Sequence, residues 1–183
     1  YETRSQTQPG KAMIVTMSRD ICVRLYDKIV ELRPEWHSDD HMQGAIKIVM
    51  TASAADKAYL QPHHTNKAQK KDLEKRFKNP EDPLKIVIVR DMWLTGFDAP
   101  CLATMYIDKP MKGANLAQAI ARVNRVFKDK PGGLVVDYIG IATELKDALA
   151  IYTKGKKEAP PVEFIEEALG VFFEKLTVIR DLL

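Results

Sequence analysis

Ile86-Val87-Ile88-Val89 constrains this chain more than any other segment. A strand apolar at every residue has no face to give to water, so it belongs inside a parallel sheet covered on both sides. Parallel neighbours need a crossover of about a dozen residues, normally a helix, and the chain supplies such pieces in alternation. Lys11 to Met17 is an apolar run of strand length. Ser18 then stands as an N-cap before Ile21, Cys22, Leu25, Ile29 and Leu32 at helical spacing, and Pro34 ends that helix. Ala45 to Met50 reads as the next strand. Thr65 caps a charged helix running to about Phe77, where Asn79-Pro80 stops it. Leu102 to Ile107 is a further strand, and a helix follows from about Leu116 to Phe127. After the Lys130-Pro131-Gly132-Gly133 turn come Leu134-Val135-Val136, a buried strand, and a helix from Thr143 to near Lys154. Such alternation predicts a three-layer α/β domain with a mainly parallel sheet.

Residues 1–154 are read as this domain and 155–162 as a linker, because Gly155 to Pro161 (GKKEAPP) has linker composition. In 163–183, Phe164, Ala168, Phe172, Leu176, Ile179 and Leu183 form one apolar stripe, the start of a helical domain. The chain opens on Tyr1 with neither Met nor a signal-peptide pattern, and is read as a piece of a longer protein. No apolar run approaches the ~20 residues that span a bilayer, so no membrane partner is expected. Cys22 and Cys101 stand far apart, which argues against a disulfide framework and for a cytoplasmic setting; Cys22 is expected to be buried. A net charge of +3 permits nucleic-acid contact without demanding it, and the Lys67 to Lys78 segment reads as a solvated helix face. No metal site is assigned: His63-His64 is the only histidine cluster, and adjacent side chains point in different directions.

Two segments carry chemistry. Thr95-Gly96-Phe97-Asp98-Ala99-Pro100 follows the buried strand, and ligands of open parallel sheets gather at the carboxyl ends of strands. Gly96 lets backbone approach a phosphate or sugar, and Asp98 can accept hydrogen bonds from ribose hydroxyls. The plain alternative is a glycine turn stopped by Pro100. The second segment, Gln118 to Arg125, places Leu116, Ile120, Val123 and Phe127 on one helical face. Gln118, Arg122 and Arg125 share another, about 200° away at 3.6 residues per turn. Arginine grips phosphate oxygens with a planar fork and keeps its charge, although a solvated basic face fits the same pattern.

Gln-x-x-Ala-Arg-x-x-Arg at 118–125 resembles helicase motif VI of superfamily two, with Ala121 where the general motif has Gly. Thr95 to Pro100 resembles motif V, and Met13 to Arg19 lies where motif IV belongs. More narrowly, DMWLTGFDAP, MYIDKPM and QAIARVNRVFKDKPGGLVVDYIG resemble the R subunits of type I restriction enzymes. The resemblance implies a RecA-like fold, the second motor domain of an ATP-dependent translocase on double-stranded DNA. It implies Gly96 near the γ-phosphate and Asp98 near the ribose, with Gln118 coupling nucleotide to interface. Arg122 and Arg125 would reach the phosphates, at least one as an arginine finger. Ser18, Arg19 and Thr95 would lie near the DNA backbone. ATP and Mg2+ are the implied cofactors, with the Mg2+ ligands outside this chain. The implied partners are a first RecA-like domain, DNA, and modification and specificity subunits.

The chain has no Gly-x-x-x-x-Gly-Lys-Ser/Thr phosphate loop, and Gly155-Lys156-Lys157 lacks its upstream glycine and hydroxyl residue. Val135-Val136-Asp137 looks like a Walker B strand but is read as a structural strand end. The chain alone is therefore expected to hold half of an ATP site and no nuclease signature. Two other readings fit parts of the pattern: the second domain of another helicase or remodeller, and a stand-alone nucleotide-binding α/β module.

Overall fold

A computed structural model of the chain describes residues 1–7, 9–125, 127 and 132–140. The helix expected from Thr143, the linker and the helical segment after it lie outside these residues. Five strands, β1 (Lys11–Thr16), β2 (Ile46–Val49), β3 (Ile86–Val89), β4 (Leu102–Asp108) and β5 (Leu134–Asp137), form one sheet in the order β2-β3-β1-β4-β5. All four pairings are parallel. The helices are α1 (Glu2–Thr7), α2 (Arg19–Leu32), α3 (Lys67–Lys78) and α4 (Gly113–Val123).

Alternation along each strand splits the core into two halves. Met13, Val15, Val87, Val89, Met105 and Ile107 face the side that holds α3 and α4. Ala12, Ile46, Ile48, Ile86 and Ile88 face α2, which buries Cys22, Val23 and Tyr26. The layering follows from direction of travel. Only β1 to β2 moves toward the β2 edge, and its helix takes one face. The β2–β3, β3–β4 and β4–β5 connections move the other way and take the opposite face, as a constant handedness of crossover requires. The apolar strand that set the expectation is wholly buried between β2 and β1.

The structure corrects the local reading in four places. On α2 the buried stripe is rotated from the expected one, and Leu32, the last helical residue, is exposed. The N-cap of α3 is Asn66, not Thr65: Asn66 accepts from the Gln69 backbone while Gln69 reaches back to the Asn66 N–H. From Thr65 the matching position is Ala68, which has no polar group to return the bond. Strand β5 is half-buried rather than fully covered, since it stands at an edge and pairs only with β4 among the described residues. Finally, α4 stops at Val123 instead of reaching Phe127. Gly133 returns so close to the helix end that an added Cβ would lie 2.0 Å from a Val123 methyl, so the chain turns back there.

At the amino end of the sheet, α3 is tied down by buried groups. The Lys11 ammonium donates to the Arg76 carbonyl at 2.7 Å and lies over the Phe77 ring, while the Cys101 thiol donates to the Phe77 carbonyl. Both satisfy carbonyls that a helix end leaves unpaired. Burial pulls the Lys11 amine down to about 8.

Candidate functional site

The crossover from β3 to β4 is not a helix. Residues 90–101 run across the sheet as turns and extended backbone, and Trp93, Leu94, Phe97 and Ala99 fill the layer where a helix would lie. Trp93 and Phe97 stack with centroids 4.4 Å apart and 3° between planes, and Phe77 lies against both. Trp93 has φ of 66°, a conformation costly for a bulky residue, by roughly 1–3 kcal/mol, and kept only where packing over-determines it. Gly96 has φ of 68° with open space where a Cβ would stand, so its backbone conformation alone favours glycine.

With Trp93 and Phe97 turned inward, Thr95, Gly96 and Asp98 are exposed. Asp98 lies four residues before β4 begins, where the Leu102 N–H donates to the Ala99 carbonyl. It therefore sits toward the amino-terminal edge of the sheet, not the carboxyl edge that the general rule for parallel sheets suggests. Helix α4 leads back to that same edge, because it connects the carboxyl end of β4 to the amino end of β5. There Arg125 donates from Nη1 to Asp98 Oδ2 at 2.9 Å, both side chains about half exposed.

Leu116, Ala119, Ile120 and Val123 are the buried face of α4. Ala119 is thus a packing residue, its small size letting the helix lie close to the sheet. Gln118 is exposed on the opposite face, as expected. Arg122, in the last turn, is half-buried, and its Nε is buried with no hydrogen-bond partner among the described residues. Arg125 lies beyond the helix, its N–H bonded to the Val123 carbonyl, so the helical projection that grouped it with Gln118 and Arg122 does not apply to it. The ion pair, not helical periodicity, joins the two sequence segments.

Ser18 and Arg19 stand apart at the carboxyl end of β1. The Ser18 hydroxyl accepts from the Ile21 N–H as the N-cap of α2. Arg19 grips Asp56 with two bonds, at 2.5 and 2.6 Å, and also donates to the Thr51 carbonyl. Asp56 accepts from the Ser53 N–H and lies 3.0 Å from His64 Nε2; Arg19 above all holds its carboxyl below the usual range. Asp56 escaped the sequence reading, since no local pattern announces a carboxylate that meets an arginine across the sheet edge. Nor did the reading foresee that all four histidines, His37, His41, His63 and His64, line one cavity of about 210 Å3 together with Tyr26 and Lys47. Tyr26 bonds His37 Nδ1 at 2.7 Å, and burial depresses His63. Among the described residues no His, Cys, Asp or Glu group is arranged to hold a metal, and no helix is long and apolar enough to cross a membrane.

A parallel five-stranded sheet with flanking helices defines the class, an α/β domain. It superposes at a TM-score of 0.52 on a fragment described as an HsdR subunit of a type I restriction enzyme from Vibrio vulnificus YJ016. That match has 16% identity and covers 80% of this chain and 26% of the other. The ATP-dependent type ISP restriction-modification enzyme LlaBIII bound to DNA matches at 0.50 with 18% identity, over 71% of this chain and 8% of its own. At such identities the likeness is one of fold. Residues 37–140 match the family model for domain 3 of the type I restriction enzyme subunit R, and the chain belongs to that family. The HindI endonuclease subunit of Haemophilus influenzae is 55% identical over the whole chain, which spans 18% of that relative's length.

Proposed function

We propose that this chain is the second motor domain of a type I restriction subunit that uses ATP to translocate double-stranded DNA and so drive cleavage. The observation that carries the reading is the ion pair between Asp98 and Arg125, which joins the segments resembling motifs V and VI into one exposed site. The site suits a polyphosphate: the Gln118 amide stands on the exposed face of α4, two guanidinium groups stand in its last turn and just beyond it, and the Arg122 Nε is buried with no partner among the described residues. Gly96, Asp98, Gln118, Arg122 and Arg125 would hold the nucleotide, with Mg2+ ligands and the phosphate loop coming from a first RecA-like domain. Bound ATP supplies the phosphoryl group whose hydrolysis drives movement. Arg122 and Arg125 would act by charge, meeting negative charge that develops on phosphate oxygens.

Family membership supports DNA, modification and specificity subunits as partners, with cleavage performed by a nuclease domain elsewhere in the subunit. Ser18, Arg19 and Thr95 remain the candidates for the DNA backbone. Arg19 is already held by Asp56, so it would meet DNA through a preset guanidinium rather than a free one. The chain alone, lacking a phosphate loop, is expected not to turn over ATP.

The test replaces Arg122 and Arg125 by alanine in the intact subunit. Arg122 lies off the buried face of α4, and Arg125 lies beyond its end with a side chain about half exposed, so melting temperatures should stay near wild type. DNA-stimulated ATP turnover should fall by roughly 10³-fold or more, and translocation and cleavage with it. Lysine should rescue poorly, since an ammonium cannot form the fork. Large losses of thermal stability with normal turnover per folded molecule would refute the assignment.

A further inference from the structure

We infer that Asp98 is the resting-state holder of Arg125, a positioning residue that keeps this arginine off the nucleotide until cleft closure exchanges one anion for another. The inference rests on the motor reading above. Its ground is that two groups each assigned to the nucleotide are already bonded to each other: Arg125 Nη1 donates to Asp98 Oδ2 at 2.9 Å. The bond occupies one guanidinium nitrogen and one carboxylate oxygen, so an end-on bidentate grip of Arg125 on a phosphate needs Nη1 back from Asp98.

Three features suit the pair to such an exchange. Both side chains are about half exposed, so the pair is screened by water and is weak enough to be displaced. Arg125 lies past the last residue of α4, its N–H held by the Val123 carbonyl, so its side chain can swing without unwinding a helical turn. Asp98, by contrast, is anchored on both sides, by the inward-turned Phe97 and by Ala99, which is buried and receives the Leu102 N–H. A fixed acceptor and a movable donor make Asp98 the post and Arg125 the arm. A phosphate group carries more negative charge than one carboxylate and offers the same bidentate geometry, so it can outcompete Asp98 once the two motor domains bring it within reach. Arg122 differs: no carboxylate engages it among the described residues, and its half-buried side chain is already positioned by the helix.

The experiment is a double-mutant cycle in the intact subunit: wild type, Asp98→Asn, Arg125→Ala and the pair, with DNA-independent ATP turnover and KM measured for ATP and for 2′-deoxy-ATP. Asparagine keeps the shape and removes the charge that holds the arginine. Asp98→Asn is expected to raise DNA-independent turnover by about two- to fivefold, the range a half-exposed ion pair can hold back. The gain should vanish in the Arg125→Ala background, and Asp98→Glu should restore the restrained rate. If instead Asp98→Asn raises KM for ATP alone, erases discrimination between the two nucleotides, and does so equally with and without Arg125, then Asp98 is simply a ribose ligand and the inference is overturned. Undiminished DNA-stimulated turnover in Arg125→Ala would overturn the motor reading itself, and with it this inference.

Discussion

Replacing Arg76 by methionine should be among the most damaging single changes in the domain. Its side chain is 4% exposed, and its guanidinium ties two loops together. Nη1 donates to the His41 and Gln43 carbonyls at 2.6 and 3.1 Å, and Nη2 donates to the Gly44 carbonyl at 3.0 Å. Nε and Nη2 also meet the Asp82 carboxylate, itself only 18% exposed. Removing one partner of a buried ion pair typically costs about 3–5 kcal/mol, because the remaining charge stays buried and unpaired. Exposed neighbours at 42 and 43 let water reach some of the freed carbonyls, so their loss adds little beyond that range. Arg76→Lys keeps charge but reaches fewer acceptors and should cost about half as much. Asp82→Asn, which can still accept from the Leu84 N–H, should cost about 1–2 kcal/mol. Urea denaturation followed by far-ultraviolet circular dichroism gives these values from the midpoint at constant slope. A loss under about 1 kcal/mol for Arg76→Met would mean that the fork is ornamental and that the loop holds itself.

Two pH dependences follow from the same logic. Lys11 titrates at about 8 when folded and near 10.5 when unfolded, so the unfolded state binds more protons between these values. Stability should therefore rise across that window, by up to about 3 kcal/mol, and Lys11→Met should flatten the rise in paired denaturation curves. Burial lowers His63 below its ordinary value, so its contribution is full above about pH 6.5 and is lost as pH falls through the folded value. His63→Phe should shrink the loss of stability on acidification, while an identical acid profile in the variant would absolve this residue.

What could be read in advance was whatever repeats locally. Ile86 to Val89, the Lys11 strand and the Ser18 cap were legible because apolar period and capping chemistry are written within a few residues. The end of α4 was not, because Gly133 stops it from ten residues downstream. What fills the crossover between β3 and β4 was equally hidden, since the Trp93–Phe97 stack depends on Phe77 from α3. Of the candidate site, the residue types were visible, but the Asp98–Arg125 bond spans 27 residues and appears only when the crossover and α4 return to one edge. The arginine clamp of Asp56 on Arg19 spans 37.

The position of β1 has a consequence for how the domain comes to exist. Of the five strands described, the first to leave a ribosome is the one that ends up in the middle, with Ala12 pairing to Ile86 on one side and Thr104 on the other. Neither partner has been synthesised when β1 emerges, so the central strand must wait, apolar and unpaired, for most of the domain to be made. Non-local pairing of this kind slows folding and leaves sticky intermediates. A nascent chain halted before Asp108 would have one flank of its central strand incompletely paired, a state suited to chaperone capture rather than to a stable half-domain.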